Sequence, residues 1–248
     1  MSVWIFPAAL AIGLVLGLFG AGGGMLTVPA LIMIGDITVK EAVPMSLWIV
    51  SLVSLTAAIH QQVWKQVQWR LLTALGVSGV AGSMMGARIG NTMPESTQLA
   101  LLAILILGVA IWTGFVKLEN KIRAFRYIPA LLAGLVIGLL TGLLGVGGGF
   151  LLVPALVFLG IGHFPTAVGH SLVIIIINAL AAIVSYSTIA SVQIDPGLTA
   201  TIAIIAAAGS IIGGILLKRL PAAHLQKGFA FVLIFLGCFV AWQSLTVS

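Results

Sequence analysis

Long apolar runs separated by short polar segments dominate this chain. Six of the runs have the length of one membrane crossing, and they lie near residues 43–61, 71–90, 97–116, 168–188, 197–217 and 228–247. A helix needs about 20 apolar residues to cross the hydrocarbon core of a bilayer. The pattern therefore predicts six membrane-spanning helices, three in each half of the chain.

Two further apolar segments, residues 4–34 and 127–159, are interrupted in the middle by three consecutive glycines. Glycines weaken a helix and permit backbone angles that are closed to other residues. We therefore predict that each segment forms two half-helices that meet at a turn. The turns are formed by Gly22, Gly23 and Gly24 and by Gly147, Gly148 and Gly149, and a proline follows each of them, Pro29 and Pro154.

The two halves are related in sequence by a shift of 125 residues. The shift places GLVLGLFGAGGGMLTVPALIMIG (13–35) on GLLTGLLGVGGGFLLVPALVFLG (138–160), with 14 identical positions of 23. The halves join at the most charged stretch of the chain, KLENKIRAFRY. We predict two membrane repeats, residues 1–120 and 121–248.

The charged residues predict how the repeats are oriented. If each glycine-broken element returns to the side that it entered, each repeat crosses the membrane three times and the repeats are inverted. Nine of the 11 basic residues then lie on one side, which the positive-inside rule makes cytoplasmic. If the element crossed instead, the basic linker and the basic cluster at 218–227 would lie on opposite sides. The prediction is an all-α integral membrane protein of two inverted repeats, each a glycine-broken helical hairpin plus three transmembrane helices, with both termini outside.

Composition excludes a soluble protein, because 61% of the residues are hydrophobic and only 6% are charged, against about 25% charged in soluble domains. The net charge of +6 is assigned to membrane topology, so no nucleic-acid partner is predicted. Cys238 is the single cysteine, which excludes an intrachain disulfide and a multi-cysteine metal site. The N-terminus lacks the basic region of a cleaved signal peptide and is predicted to stay as a membrane segment.

The glycine turns predict an anion site. Half-helices beginning after them, over 25–34 and 150–159, would direct their N-termini and positive dipole ends toward the protein centre. Backbone N–H groups and neutral side chains must do the binding, since no charged residue lies in the middle of any span. Paired discontinuous helices are typical of secondary transporters that alternate access around a midplane site.

Four polar side chains are added to this candidate site. Ser46 and Ser171 are repeat equivalents, which either bind an oxyanion or bond back to their own helices. Asn178 lies in the apolar run VIIIINALAAI and is expected to face the interior. His170 is either a proton relay or anion partner, or an interfacial histidine without a transport role.

The segments GLFGAGGGMLTVPAL and GLLGVGGGFLLVPAL resemble the duplicated glycine-rich motif of the TauE/SafE sulfite-exporter family, also called the TSUP family of membrane transporters. The resemblance covers essentially the whole chain. It implies a polytopic inner-membrane carrier for small anions, especially sulfur oxyanions and organosulfonates. It places the site at the turns 20–24 and 145–149, with Gly20, Gly145, Pro29 and Pro154 as parts of the structural motif.

The resulting prediction is a secondary transporter that exports a small sulfur-containing anion such as sulfite or an organosulfonate. Its partners are that anion, the lipid bilayer and a co-transported proton or sodium ion, with no cofactor or metal. A membrane enzyme is disfavoured, because the sequence lacks paired intramembrane carboxylates and metal-ligand motifs. A structural or assembly subunit is the other alternative. The identity of the anion, the direction, the coupling ion and the oligomeric state stay open.

Overall fold

The computed structural model describes residues 5–20, 23–35, 37–65, 67–115, 127–161, 164–188 and 194–246. These residues form ten α-helices and a short 3₁₀ turn, Val63–Lys65. The helices are α1 Ile5–Phe19, α2 Gly23–Gly35, α3 Val39–Gln61, α4 Trp69–Thr92, α5 Glu95–Phe115, α6 Tyr127–Leu144, α7 Gly149–Phe158, α8 Phe164–Ser187, α9 Pro196–Arg219 and α10 Ala222–Thr246. The all-α prediction is confirmed, and α3, α4, α5, α8, α9 and α10 correspond to the six predicted spans.

Five helices in the described part of the chain are long and apolar enough to cross a membrane, namely α3, α5, α6, α8 and α9. Four of these five helices, α3, α5, α8 and α9, are predicted spans. The other, α6, was predicted to be half of a glycine-broken segment, and its 18 residues extend about 27 Å. Large apolar side chains such as Val77, Ile104, Ile128 and Phe231 are each more than two-thirds exposed. Such surfaces are stable only in lipid, so the protein is a multi-pass membrane protein.

The two halves pack through equivalent contacts. Helix α1 packs on α9 just as its equivalent α6 packs on α4, and both α3–α8 and α5–α10 pair a helix with its own equivalent. Helices α3 and α8 lie in the middle of the bundle and are buried over most of their length, whereas less than half of α5, α6 and α9 is buried. The core therefore lies around the α3–α8 pair.

Glycines set the directions of the paired helices, because they let two backbones touch. A Cβ added at Gly13 would lie 1.8 Å from the carbonyl oxygen of Ala206, and one added at Gly17 would lie 2.1 Å from that of Ser210. From the first contact to the second, the residue number rises by four in both helices, so α1 and α9 run parallel. Gly82 and Gly86 of α4 meet successive turns of α6 in the same way, and α4 and α6 are therefore also parallel.

The two ends of the helix bundle carry different charges. At one end, Glu41 near the start of α3 shares a pocket with Asp195, which follows α8. At the other, Gln61 at the end of α3 shares a pocket with Thr166 near the start of α8, so α3 and α8 run antiparallel. We call the first the acidic end, defined by Glu41, Glu95 and Asp195, and the second the basic end, defined by Lys65, Arg70, Lys218 and Arg219.

Lys40 is a basic residue at the acidic end, and its contacts explain its presence there. Its Nζ donates hydrogen bonds to the carbonyl oxygens of Gly90 at 2.9 Å and Asn91 at 2.8 Å, and to that of Met93. These are the last carbonyls of α4, where the helix dipole is negative and favours a cation. Lys40 therefore joins the start of α3 to the end of α4.

Candidate functional site

The second glycine turn has a backbone that only glycine adopts readily. Gly145, Gly147 and Gly148 have φ values of +71°, +71° and +65°, in the left-handed region that costs other residues about 1 kcal/mol or more each. The Gly145 N–H donates to the carbonyl of Thr141 at 2.9 Å and closes α6. Gly148 is the N-cap of α7, and its carbonyl accepts from Leu152 at 2.9 Å.

The first turn begins in the same way. Gly20 has a φ of +61°, and its N–H donates to the carbonyl of Leu16 at 2.7 Å, which closes α1. Helix α2 then begins at Gly23, so Gly23 and Gly24, which were predicted to form the turn, lie in the first turn of α2 instead. Residues 21 and 22 lie outside the described part of the chain, and so does the prediction made for Gly22. Gly20 and Gly145 are repeat equivalents with the same local role.

The structure brings the two glycine turns into direct contact. A Cβ added at Gly24 would lie 1.8 Å from the carbonyl oxygen of Val146 and 2.5 Å from its carbonyl carbon. Only a residue without a side chain permits this approach of two backbones. Gly24 and Val146 are both buried, so the contact between the turns lies inside the protein.

The turns meet at the midpoint of the α3–α8 pair. A Cβ added at Gly147 would lie 2.8 Å from Cγ1 of Val50 and 3.2 Å from Cγ2 of Ile175. Val50 and Ile175 are repeat equivalents, and each is near the middle of its helix. We call the level of these two residues the centre. Helix α7 begins here, and its N-terminus therefore lies at the centre.

The predicted serines hold the turns across the repeat boundary. Ser171 of the second repeat places its Oγ 2.8 Å from the carbonyl oxygen of Gly20 and 2.7 Å from that of Val168. Ser46 of the first repeat contacts the carbonyl oxygens of Gly145 and Val43 in the same way. Each hydroxyl has one proton to share between two carbonyls, so both serines are occupied by protein backbone in this structure.

Asn178 is the polar residue without such contacts. It is fully buried in the middle of α8, and neither Oδ1 nor Nδ2 has a hydrogen-bond partner among the described residues. Its amide lies against α4, where a Cβ on Gly79 would be only 2.3 Å from Oδ1. It follows Ile175 by three residues, and Cβ atoms at that spacing are about 5–6 Å apart. Asn178 therefore lies about one helical turn from the second glycine turn, toward the acidic end.

His170 lies away from the centre and uses both ring nitrogens. Its Nε2 accepts a hydrogen bond of 2.8 Å from the backbone N–H of Gln68, and its Nδ1 is 2.8 Å from the carbonyl oxygen of Thr166. This pattern assigns the proton to Nδ1 and a neutral ring. The ring joins α8 to the loop before α4, and it borders a pocket of about 130 Å³ at the basic end, together with Lys218.

An equivalent pocket lies at the acidic end. It has a volume of about 320 Å³ and is bordered by Glu41, Met45 and Asp195. Glu41 and Met45 are the repeat equivalents of Thr166 and His170, which border the pocket at the basic end. Both pockets therefore lie beside the serines that hold the turns, one at each end of the molecule, and they differ in charge.

The two predicted prolines are buried within the half-helices, Pro29 in α2 and Pro154 in α7. A proline inside a helix lacks the N–H that would bond the carbonyl four residues earlier. The carbonyls that lose this donor are those of Met25 and Phe150, in the first turns of α2 and α7. Each proline therefore removes one intrahelical donor near the start of its half-helix.

The sequence did not indicate Val50 and Ile175, which border the second glycine turn, or Gly79, which lies against the Asn178 amide. One signal for the first two was present, since they are equivalent positions at the midpoints of equivalent spans. For Gly79 there was none, because a contact between distant segments leaves no mark on residue type.

A family model for "Sulfite exporter TauE/SafE" matches residues 5–240 of this chain. The chain belongs to the TauE/SafE family. Two relatives of this TauE/SafE protein are described as "probable membrane transporter protein". One, from Xylella fastidiosa (strain Temecula1), is 29% identical over 94% of this chain and 92% of the relative. The other, from Methanocaldococcus jannaschii, is 28% identical over 74% of this chain and 73% of the relative.

A third relative, YunE of Bacillus subtilis, is also described as a probable membrane transporter protein and is 25% identical over 97% of this chain and 98% of the relative. No solved structure matches the chain significantly. The family and these relatives are transporters rather than enzymes, so this TauE/SafE protein is a membrane transporter.

Proposed function

We propose that this protein exports a small sulfur-containing anion, such as sulfite or an organosulfonate, through the centre where the two glycine turns meet. The observation that carries the proposal is the Asn178 amide, which is fully buried beside the second turn and has no hydrogen-bond partner within the described segments. Leaving a buried polar group unpaired costs about 1–3 kcal/mol. Such a group is expected to serve a ligand, and its Nδ2 is a suitable donor to an oxyanion.

The half-helices support an anion in particular. Helix α7 begins at the centre, and its first N–H groups have no partners within the helix. The positive end of its dipole favours a negative charge there. No lysine or arginine lies near the centre among the described residues, so an anion would be held weakly enough to be released. A permanent counter-charge would instead trap it.

The helix directions support inverted repeats. A pocket at the start of α1 is bordered by Ile5 and Ala8 together with Ala30 and Leu31 of α2, so α2 returns along α1 as a hairpin. Each repeat, 1–120 and 121–248, then has three full crossings, α3 to α5 and α8 to α10. The chain reverses direction three times between α1 and α4, so α4 runs opposite to α1. Because α6 is parallel to α4, α6 is then reversed relative to α1, as inversion requires.

Two pockets at opposite ends support alternating access between them. They occupy equivalent positions in the two repeats, as expected if the two repeats exchange conformations to open one pocket and close the other. The serines beside these pockets, Ser46 and Ser171, would transmit the change, because each holds the turn of the other repeat. Direct oxyanion binding by either hydroxyl would require it to release its glycine carbonyl.

We propose that the anion moves passively, driven by the membrane potential. A negative cell interior contributes about 2.3 kcal/mol per charge per 100 mV to the exit of an anion. Coupling to a proton through His170 is the second option. In that case protonation of His170 would break its hydrogen bond with the Gln68 N–H, because both nitrogens of a protonated imidazole are donors and neither can accept.

The proposed function is tested by the flux of radiolabelled sulfite into and out of proteoliposomes that contain the purified protein. Imposed potentials and pH gradients identify the driving force, and thiosulfate, sulfonates and sulfate serve as competitors. We expect saturable flux that responds to the potential and is competed by the sulfur anions. The absence of flux in vesicles with inserted, folded protein would contradict the proposal.

Topology is tested by cysteine labelling in a Cys238→Ala background. We propose that the basic end is cytoplasmic, that the acidic end and both termini are outside, and that the membrane is the cell inner membrane. Because Lys65 and Gly197 are both exposed at opposite ends of the molecule, we expect Gly197→Cys to react with an impermeant thiol reagent in intact spheroplasts. Lys65→Cys should react only after permeabilisation. Labelling of both from one face would exclude inverted repeats.

A further inference from the structure

Like the Asn178 amide, the Ser54 hydroxyl on α3 is a buried polar group without a hydrogen-bond partner among the described residues. The side chain is fully buried, and its Oγ has no hydrogen-bond partner among the described residues. Other hydroxyls on this helix are bonded, since Ser51 donates to the carbonyl of Trp48 at 2.9 Å and Thr56 to that of Leu52 at 3.0 Å. A serine in a membrane helix usually bonds back to its helix in this way, and Ser54 does not.

The position of Ser54 on α3 directs it toward the glycine turns. Val43, Ser46 and Val50 contact the second turn, and Ser54 follows Val50 by four residues on the same face. The opposite face carries Leu52, Leu55 and Ile59, which are exposed. Ser54 therefore lies on the stripe of α3 that faces the centre, one turn nearer the basic end than Val50.

The depth of Ser54 matches that of the first turn. Helices α3 and α8 are antiparallel and meet at Val50 and Ile175. Ser54 lies four residues from Val50 toward the basic end, and Ser171, which holds the Gly20 carbonyl, lies four residues from Ile175 in the same direction. Four residues of helix extend about 6 Å, so Ser54 and Ser171 are at the same level.

Ser54 and Asn178 occupy a related place in the two repeats. The repeat equivalents of Val53 and Ser54 are Asn178 and Ala179. Each repeat thus has one polar and one apolar residue in this pair of positions, with the order reversed. Both polar residues are buried, and neither has a hydrogen-bond partner among the residues that the structure describes. They lie on opposite sides of the centre, about 10 Å apart in depth.

We propose that Ser54 is a second contact for the transported anion, on the basic-end side of the centre. An anion from the basic end reaches the Ser54 hydroxyl at the level of the first turn, then passes the centre to the Asn178 amide at the level of the second. Both groups donate hydrogen bonds to oxyanions and are uncharged. This inference rests on the proposed function and adds a residue that determines affinity from the basic end.

The test compares Ser54→Ala with Ser51→Ala in the sulfite flux assay, with thermal unfolding measured on the same preparations. The alanine at position 54 removes a hydroxyl that has no protein partner, so we expect an unchanged or higher melting temperature and a KM about three- to tenfold higher, which corresponds to one lost hydrogen bond. The alanine at position 51 removes a bond to Trp48, so we expect a lower melting temperature and an unchanged KM. Ser54→Cys, of similar volume but a weaker donor, should reproduce the higher KM.

The outcomes distinguish a failure of the Ser54 contact from a failure of the proposed function. Wild-type flux with a wild-type KM in both Ser54 variants would overturn the assignment of Ser54 and leave the proposed function standing. An absence of sulfur-anion flux in the folded wild-type protein would overturn the proposed function and the Ser54 contact together. A higher KM accompanied by a lower melting temperature in Ser54→Ala, but absent in Ser54→Cys, would assign a packing role instead.

Discussion

Gly24→Ala is expected to abolish transport and to lower the melting temperature more than any other single methyl addition in the described turns. The added Cβ would lie 1.8 Å from the carbonyl oxygen of Val146, and the obstacle is backbone rather than a side chain that can rotate. The two glycine turns would have to separate, which removes the contact at the centre. Overpacking of this kind costs about 1–3 kcal/mol or more.

Gly108→Ala is the matched control. Gly108 lies in α5, and a Cβ at this position would meet nothing within 4 Å. Alanine is favoured over glycine in a helix by about 0.5–1 kcal/mol, so we expect normal flux and an unchanged or slightly higher melting temperature. Thermal unfolding in detergent and flux in proteoliposomes measure both variants. Normal flux in Gly24→Ala would show that the turns do not need to touch.

Asn178→Val is expected to reduce transport at least about tenfold while raising stability. The change removes the unpaired amide and introduces the residue found at the equivalent position, Val53. Eliminating an unpaired buried polar group is worth about 1–3 kcal/mol, part of which is offset by the smaller volume of valine. A fall in activity together with a rise in melting temperature is the signature of a side chain kept for function.

Gln98→Leu provides the contrast, because it also replaces a buried amide. The Nε2 of Gln98 donates to the carbonyl oxygens of Gly90 at 2.8 Å and Leu143 at 3.0 Å, and it joins α5 to the ends of α4 and α6. We expect this variant to melt at a lower temperature while the KM for sulfite stays unchanged. If Asn178→Val also lost stability and kept its KM, the amide would have a structural role and the proposed function would lose its main support.

The elements of the fold were predictable from local sequence. Apolar runs of about 20 residues can only be membrane helices when so few charges are present, and glycine clusters interrupt such runs. The described helices break close to the predicted turns, since α1 ends at Phe19 and α6 at Leu144, but Gly23, Gly24 and Gly149 begin the next helices instead of forming the turns. Repetition helped as well, because a signal seen in two equivalent segments is less easily produced by chance than one seen once.

The family, too, was accessible from the sequence, since the duplicated motif is local and its spacing is specific. The packing partner of α6 was not accessible. The segment that contains α6 was predicted to begin at residue 127 and to break at 147–149, but an apolar segment does not indicate which helix it packs against. Helix α6 lies along α4 and follows it almost to its end, where a Cβ on Gly90 would meet Leu143.

Local sequence was enough to predict the helices, the repeat and the residues capable of forming turns. The partners of the polar side chains followed only from the packing of the helices. Ser46, Ser54, Ser171 and Asn178 look alike as isolated polar residues in apolar helices, yet two hold glycine carbonyls and two have no hydrogen-bond partner in the part of the chain that the structure describes. Hydrogen bonds between distant segments depend on a few ångströms of helix position, which no local pattern of residues specifies.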